Sequence, residues 1–224
     1  MIITIDGTVG SGKSTAAAGL ARRLGARHLD TGAMYRALTL KALETGADLE
    51  DPAALEALAC ATTVELDSEP GRQRVRLDGR DVTEAIRQNR VSTHSHYLAR
   101  TPGVRNVLVP VQRAFAERAG NVVAEGRDQG TVVFPDADAK FYLDAEPEER
   151  ARRRQLELEA RGQAASYRAV LAEIVERDRR DSTRETAPLR AAEDAIYVDT
   201  TSMSVPEMID ALEREVRRCA QEKA

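Results

Sequence analysis

The sequence predicts an α/β fold: a parallel sheet of about five strands with helices on both faces, plus a small inserted antiparallel sheet. Three observations carry this. Short apolar, β-branched runs alternate with longer stretches of helical periodicity. Between the first run and the first stretch lie residues 7–15, Gly-Thr-Val-Gly-Ser-Gly-Lys-Ser-Thr, which match the phosphate-loop pattern G-x-x-x-x-G-K-[ST]. From Thr63 to Thr83 the alternation breaks into single apolar and polar residues around turn signals.

The first strand is Ile2-Ile3-Thr4-Ile5. After the loop, Ala17, Leu20, Ala21 and Leu24 fall at helical spacing, and Gly25 stands where a glycine ends a helix. Arg27-His28-Leu29-Asp30 reads as a second strand. Thr31 is expected to cap a helix from about Gly32 to Glu44, ended by Gly46. Pro52 to Ala59 reads as a further helix. In the insert, Val64 and Leu66 alternate with Glu65 and Asp67, Val75 and Leu77 with Arg74 and Arg76; Pro70-Gly71 and Asp78-Gly79 mark turns. Thr83 is expected to cap a helix through Tyr97. Thr101-Pro102 opens a long one to about Ala119, with Pro110 expected to kink it. Asn121–Glu125, Lys140–Leu143 and Ile196–Val198 read as strands. Pro147 to about Arg180 is helical and highly charged with a break at Gly162, and Val205 to about Cys219 is the last helix.

Glycines in residues 7–15 let the backbone approach a ligand closely, with several N–H groups aimed at it from a helix N-terminus. Gly7, Thr8, Val9, Gly10, Ser11, Gly12, Lys13, Ser14 and Thr15 are the candidate ATP-binding set. Lys13 would reach the β/γ-phosphates, and the Ser14 hydroxyl would sit on Mg²⁺. The plain alternative, a glycine-rich turn that binds nothing, does not account for the agreement of pattern, strand and helix.

Totals bound the rest. The chain has 224 residues and a net charge of −4, so no global field attracts a nucleic-acid polymer. Cys60 and Cys219 lack metal spacing, as do His94 and His96. No apolar run approaches membrane-spanning length and no leader is apparent, so the expectation is a cytoplasmic protein without a membrane partner.

In a parallel sheet, ligands bind beyond the carboxyl ends of the strands. The phosphate loop, Asp30-Thr31 and Arg127-Asp128 all fall at such ends. Arg36 lies early in a helix. Arg177, Asp181 and Arg184 are spaced i, i+4, i+7, on one helical face. Each could be a solvated charged face; together they define a cleft.

Together these segments resemble the bacterial cytidylate kinases, within the nucleoside monophosphate kinases. The carrying motifs are residues 7–15, Leu29-Asp30-Thr31-Gly32-Ala33-Met34-Tyr35-Arg36, the segment Glu125-Gly126-Arg127-Asp128-Gln129-Gly130-Thr131-Val132-Val133-Phe134-Pro135, and the Arg-Asp-rich run ending Ala187-Pro188-Leu189. The resemblance spans essentially the whole chain. It implies a kinase core at about 1–30, 102–147 and 184–224, a monophosphate-binding subdomain with the antiparallel insert at about 31–101, and a short helical lid at about 148–183.

It also implies roles. Arg36, Arg127 and Arg184 would hold the acceptor's phosphate, Arg177 and Asp181 its ribose, Arg105 and Asp128 the cytosine. Asp30 and Thr31 would belong to the same acceptor site. Of Arg152, Arg153 and Arg154, Arg153 is the expected lid contact, which with Lys13, Arg127 and Arg184 makes the catalytic set. Such enzymes usually carry a serine nine residues before the base-reading arginine; here His96 stands there, beside Ser95.

The implied reaction is ATP + CMP → ADP + CDP, with dCMP also accepted, in a monomer using Mg²⁺ with ATP. A monophosphate's second pKa is about 6, so its oxygens need no general base at neutral pH. Two other classes compete. A kinase for shikimate or adenylate would keep the loop and change the other motifs. A nucleotide switch would favour N-K-x-D, whereas Asn89, Asn106 and Asn121 are followed by Arg90, Val107 and Val122.

Overall fold

The computed structural model describes residues 1–69, 72–160 and 162–222. In chain order its elements are β1 (Ile2–Gly7), α1 (Lys13–Leu24), β2 (Arg27–Asp30), α2 (Thr31–Thr45), α3 (Pro52–Cys60), β3 (Val64–Glu69), β4 (Arg72–Leu77) and β5 (Arg80–Asp81); then α4 (Asn89–Arg100), α5 (Pro102–Ala119), β6 (Val122–Glu125), β7 (Ala139–Asp144), α6 (Pro147–Ala160), α7 (Tyr167–Thr183), β8 (Ile196–Asp199) and α8 (Val205–Glu222).

Five strands form a parallel sheet in the order β2-β6-β1-β7-β8. Its two faces bury different residues of the same strands, as the period of two requires. Ile3, Ile5, Val123, Phe141 and Leu143 pack under α1 and α8, whose Leu20, Leu212 and Val216 meet them. Leu29, Val122 and Ala124 face Phe115 and Ala116 of α5 on the other side. Register brings Ile5 opposite Glu125 and Glu125 opposite Asp30, so β1, β2 and β6 end side by side.

The insert is a separate antiparallel sheet, β3-β4-β5. Val75, Leu77 and Val82 join Met34, Leu38, Leu40, Leu98, Val104 and Leu108 in a second core. Asp78 and Gly79 both take positive φ in the β4–β5 turn, as the Asp-Gly pair predicts. The expected Pro70-Gly71 turn lies outside the described residues. α6 and α7 enclose a small third core of Ala151, Leu158, Val170 and Ile174.

Some local expectations are corrected. Asp30, not Thr31, caps α2: its Oδ1 accepts from Ala33 N at 2.9 Å, while the Thr31 hydroxyl donates to the Glu125 carbonyl at 2.8 Å. Thr83 caps nothing, because its hydroxyl accepts from Val75 N at 3.0 Å in the insert. The helix expected from Thr83 therefore starts late, as a 3₁₀ turn at Ala85–Arg87 followed by α4. α5, by contrast, has the expected extent, running through Pro110 to Ala119. After β6 comes a five-residue π turn, Gln129–Val133, closed by Phe134 N donating to Gln129 O at 2.7 Å. No periodicity announces it, since it is one turn long.

Candidate active site

At the carboxyl ends of β1, β2 and β6 the chain surrounds a cleft of about 1270 Å³. The phosphate loop forms its floor. Gly7 is obligatory there: a Cβ on it would lie 1.9 Å from Leu143 O in β7. Gly12 holds φ 89° at the head of α1 and offers no side chain to cap the first N–H groups. Those N–H groups, at the positive end of the helix, suit an anion.

Lys13 is buried, its Nζ donating to Thr8 O and to Ser11 Oγ. Burial holds its pKa well below the ordinary lysine value, and the charge of Arg127 adds to that. A bound polyanion would reverse both effects. The Thr8 hydroxyl donates to Asp144 Oδ1 at 2.7 Å, and Ser11 O accepts from Thr200 at 3.0 Å, so the ends of β7 and β8 fix the loop from the other side.

Cations crowd the cleft. Arg36, Arg127, Arg153, Arg154 and Arg177 line it with Lys13, Ser14 and Asp30. Arg127 donates to Asp181 at 2.8 Å and Arg36 to Asp30 at 2.7 Å. Arg177 is pushed down to about 10, first by burial and then by Arg127. Burial opposes the charge of Asp181 as well, but Arg127 and Arg177 beside it hold its pKa below the ordinary value. Buried cations this close together suit an anionic ligand such as phosphate.

Behind the wall, outside the cleft lining, Arg105 and Asp128 form a buried ion pair with Tyr35, whose hydroxyl accepts from Arg105 at 3.1 Å. Arg184 Nη2 stands 3.9 Å from Asp128 Oδ1, while its Nε donates to Ala187 O at 2.7 Å. Thr31, Asp181 and Arg184 are also absent from the lining.

α6 and α7 touch the loop from above. Asp178 Oδ1 accepts from Val9 N at 3.2 Å, and Arg150 donates to Val9 O at 3.0 Å and pairs with Asp178. Arg153 is tied down as well: it pairs with Glu149 at 2.9 Å and donates to Thr200 O at 2.6 Å. Arg152 is exposed and pairs only with Glu149 among the described residues.

Sequence reasoning missed three polar groups in or behind this cleft. Glu125, the last residue of β6, accepts from Ser14 Oγ at 2.7 Å and meets His28 Nε2 at 2.9 Å. Gln73 of β4 reaches β2, accepting from Asp30 N at 2.8 Å, so the insert is anchored beside Arg36's partner. Asp6, in the strand before the loop, accepts from Gln129 N at 2.9 Å and Gly130 N at 2.8 Å and so holds the turn after Arg127-Asp128. A carboxylate inside a buried strand was the available signal for both Glu125 and Asp6.

Burial pushes Asp6 from the usual 3.8 up to about 7, its two backbone donors notwithstanding. A carboxyl with its native pKa raised keeps its proton longest in the folded state. Its contribution to stability is therefore largest below pH 4 and falls as pH rises towards 7, where the native group also ionises. Urea unfolding of wild type and Asp6→Asn at pH 5 and pH 8 checks this. The wild type's stability relative to the variant should be lower at pH 8 by about 2–3 kcal/mol, at ~1.4 kcal/mol per unit. An equal difference at both values contradicts it.

The family model described as Cytidylate kinase matches residues 3–218. The chain is 46% identical to the cytidylate kinase of Nocardia farcinica over 96% of its own length and 93% of the relative's. It is 51% identical to that of Pelotomaculum thermopropionicum over 92% of each. A bifunctional pantoate ligase/cytidylate kinase of Synechococcus matches at 52% over 95% of this chain and 44% of that one. Among solved structures, an uncharacterized protein from Eubacterium ventriosum aligns over 97% of this chain and 98% of its own with a TM-score of 0.52 at 12% identity, a likeness of fold alone.

Proposed function

The chain belongs to the cytidylate kinase family and is an ATP-dependent CMP kinase, and from that premise we propose how its cleft divides the work. ATP lies on residues 7–15, with its β/γ-phosphates on Lys13. CMP lies opposite, its phosphate on Arg36, Arg127 and Arg184, its ribose on Arg177 and Asp181, its base on Arg105 and Asp128. Asp30 and Thr31 shape the acceptor side, Asp30 by holding Arg36 and Thr31 by holding the end of β6. The observation that carries this is the gathering of buried cations: burial and the charge of Arg127 lower the pKa of both Lys13 and Arg177, a setting that bound phosphate would relieve.

The chemistry asks for position and charge. The acceptor's phosphate is already nucleophilic at neutral pH, so no side chain need take a proton. The arginines hold two mutually repelling polyanions in line and meet the charge on the transferring group. α6 and α7 act as the lid, with Arg153 turned from Thr200 onto phosphate when they close and exclude water.

Mg²⁺ fits the residues present. Ser14 is exposed at the mouth of the loop and gives its hydrogen to Glu125, leaving oxygen lone pairs for a cation. Among the described residues, no group of three or more His, Cys, Asp or Glu side chains could hold a metal. The match is therefore to an ion that arrives bound to phosphate oxygens. When bound, it neutralises charge on the triphosphate.

No helix among the described residues is long and apolar enough to cross a membrane. We propose a cytoplasmic monomer that works on small molecules. Coupled ADP release across a panel of monophosphates tests the assignment. CMP and dCMP should give the fastest turnover, UMP and AMP far slower. ADP formation at one rate whatever the acceptor would contradict it.

A further inference from the structure

His28 stands where an apolar layer meets the wall of the cleft. β2 pairs with β6 so that His28 lies opposite Val123, and the nearby positions Ile3, Ile5 and Val123, packed beneath α1, are fully buried and apolar. His28 itself is 7% exposed. A polar group buried there needs a partner. Among its partners is Glu125, two residues beyond Val123, at 2.9 Å from Nε2. A carboxylate only accepts, so Nε2 carries the hydrogen and donates it to Oε1. Oε2, the other oxygen, accepts from Ser14 at 2.7 Å.

We propose that His28 is a positioning residue of the triphosphate site, fixing through its hydrogen bond the Glu125 carboxylate on which the Ser14 hydroxyl depends. The alternatives open to that carboxylate are close. Lys13 and Arg127 both feel the charge of Glu125. A Glu125 released from His28 would turn towards them, giving up Ser14 and competing with phosphate for the two cations. With Oε1 held, Glu125 orients the Ser14 lone pairs for a cation carried by the triphosphate. Partners of this kind, one step behind a metal-binding group, are worth about 10–100-fold in affinity or activity.

His28→Phe keeps a buried ring and deletes the donor; His28→Gln keeps a donor of similar reach. Calorimetric titration of each with ATP, with and without Mg²⁺, reads the site without turnover, and kcat and KM for ATP and CMP follow. The gain in ATP affinity conferred by Mg²⁺ should fall about 10-fold in His28→Phe, and kcat/KM for ATP with it. KM for CMP should stay within about 2-fold and the Gln variant within about 3-fold of wild type, as the acceptor site keeps its partners and the donor is kept. In a Glu125→Gln background, His28→Phe should add nothing. If thermal unfolding shows that His28→Phe does not fold, His28→Leu carries the same comparison.

A normal Mg²⁺ linkage in His28→Phe, a Gln variant as damaged as the Phe variant, or a full effect in the Glu125→Gln background would each overturn the proposal. The proposal rests on the triphosphate occupying this loop. A wild type that binds ATP no better with Mg²⁺ than without would overturn that assignment too, whereas normal wild-type linkage beside an unaffected His28→Phe overturns only the role of His28.

Discussion

Lys13→Ala is expected to lower kcat by at least about 100-fold while the protein stays folded. A single preorganised donor aimed at developing charge in a dry site contributes about 10²–10³ to kcat, or ~3–4 kcal/mol. Lys13 is buried, with the charges of Arg127 and Arg177 acting on it. No other lysine among the described residues lines the cleft. Stability should change little or rise. The variant loses the hydrogen bonds to Thr8 O and Ser11 Oγ. It also loses a buried charge whose native pKa is already depressed, and the two effects oppose each other. Circular dichroism with steady-state kinetics checks both halves. A variant that retains more than about a tenth of wild-type kcat, where one such donor should be worth at least a hundredfold, removes the loop from the centre of the reaction.

The loop was legible because its signal is local. Each glycine and the lysine have a fixed job within nine residues, and the flanking strand and helix repeat at their own periods. The five strands and the insert were legible for the same reason, down to β2 at Arg27–Asp30. Capping was less so. Asp30 and Thr31 are both good N-caps, and only the position of the Glu125 carbonyl, 94 residues away, decides that Thr31 is used elsewhere. Thr83 was lost to β4 in the same way. The polar groups that hold the site, His28 on Glu125, Asp6 under Gly130 and Gln73 against Asp30, join residues 43 to 124 positions apart. No periodicity encodes such distances. The arginines were found by kinship of motif. The burial of Arg177 beside Arg127, which lowers its pKa, appeared only when the fold brought them together.

Asp128 is expected to set the preference for cytosine over uracil. Its Oδ2 belongs to Arg105, while Arg184 stands 3.9 Å from Oδ1, outside hydrogen-bond range. Oδ1, behind the cleft wall in this structure, would accept from the exocyclic amine at C4 of cytosine once the base reaches it. Uracil offers a carbonyl oxygen there, and two acceptors would face each other. Arg105 reinforces the choice: N3 accepts in cytosine and carries a hydrogen in uracil. Each buried polar group left without a partner costs about 1–3 kcal/mol, more when charged. Two such losses give at least a ~100-fold preference, and sites built on hydrogen-bonding groups reach about 10⁴.

Asp128→Ala leaves Arg105 buried without its carboxylate, which costs about 3–5 kcal/mol of stability. Asp128→Asn keeps the shape and can donate to the uracil oxygen, so it should narrow the preference in a sturdier protein. The values of kcat/KM for CMP and UMP, in wild type and both variants, test the account most directly. It predicts a wild-type ratio of at least ~100 that shrinks towards parity in the variants, through a severe loss with CMP and a much smaller one with UMP. A ratio unchanged by either substitution, with both substrates weakened alike, would contradict it.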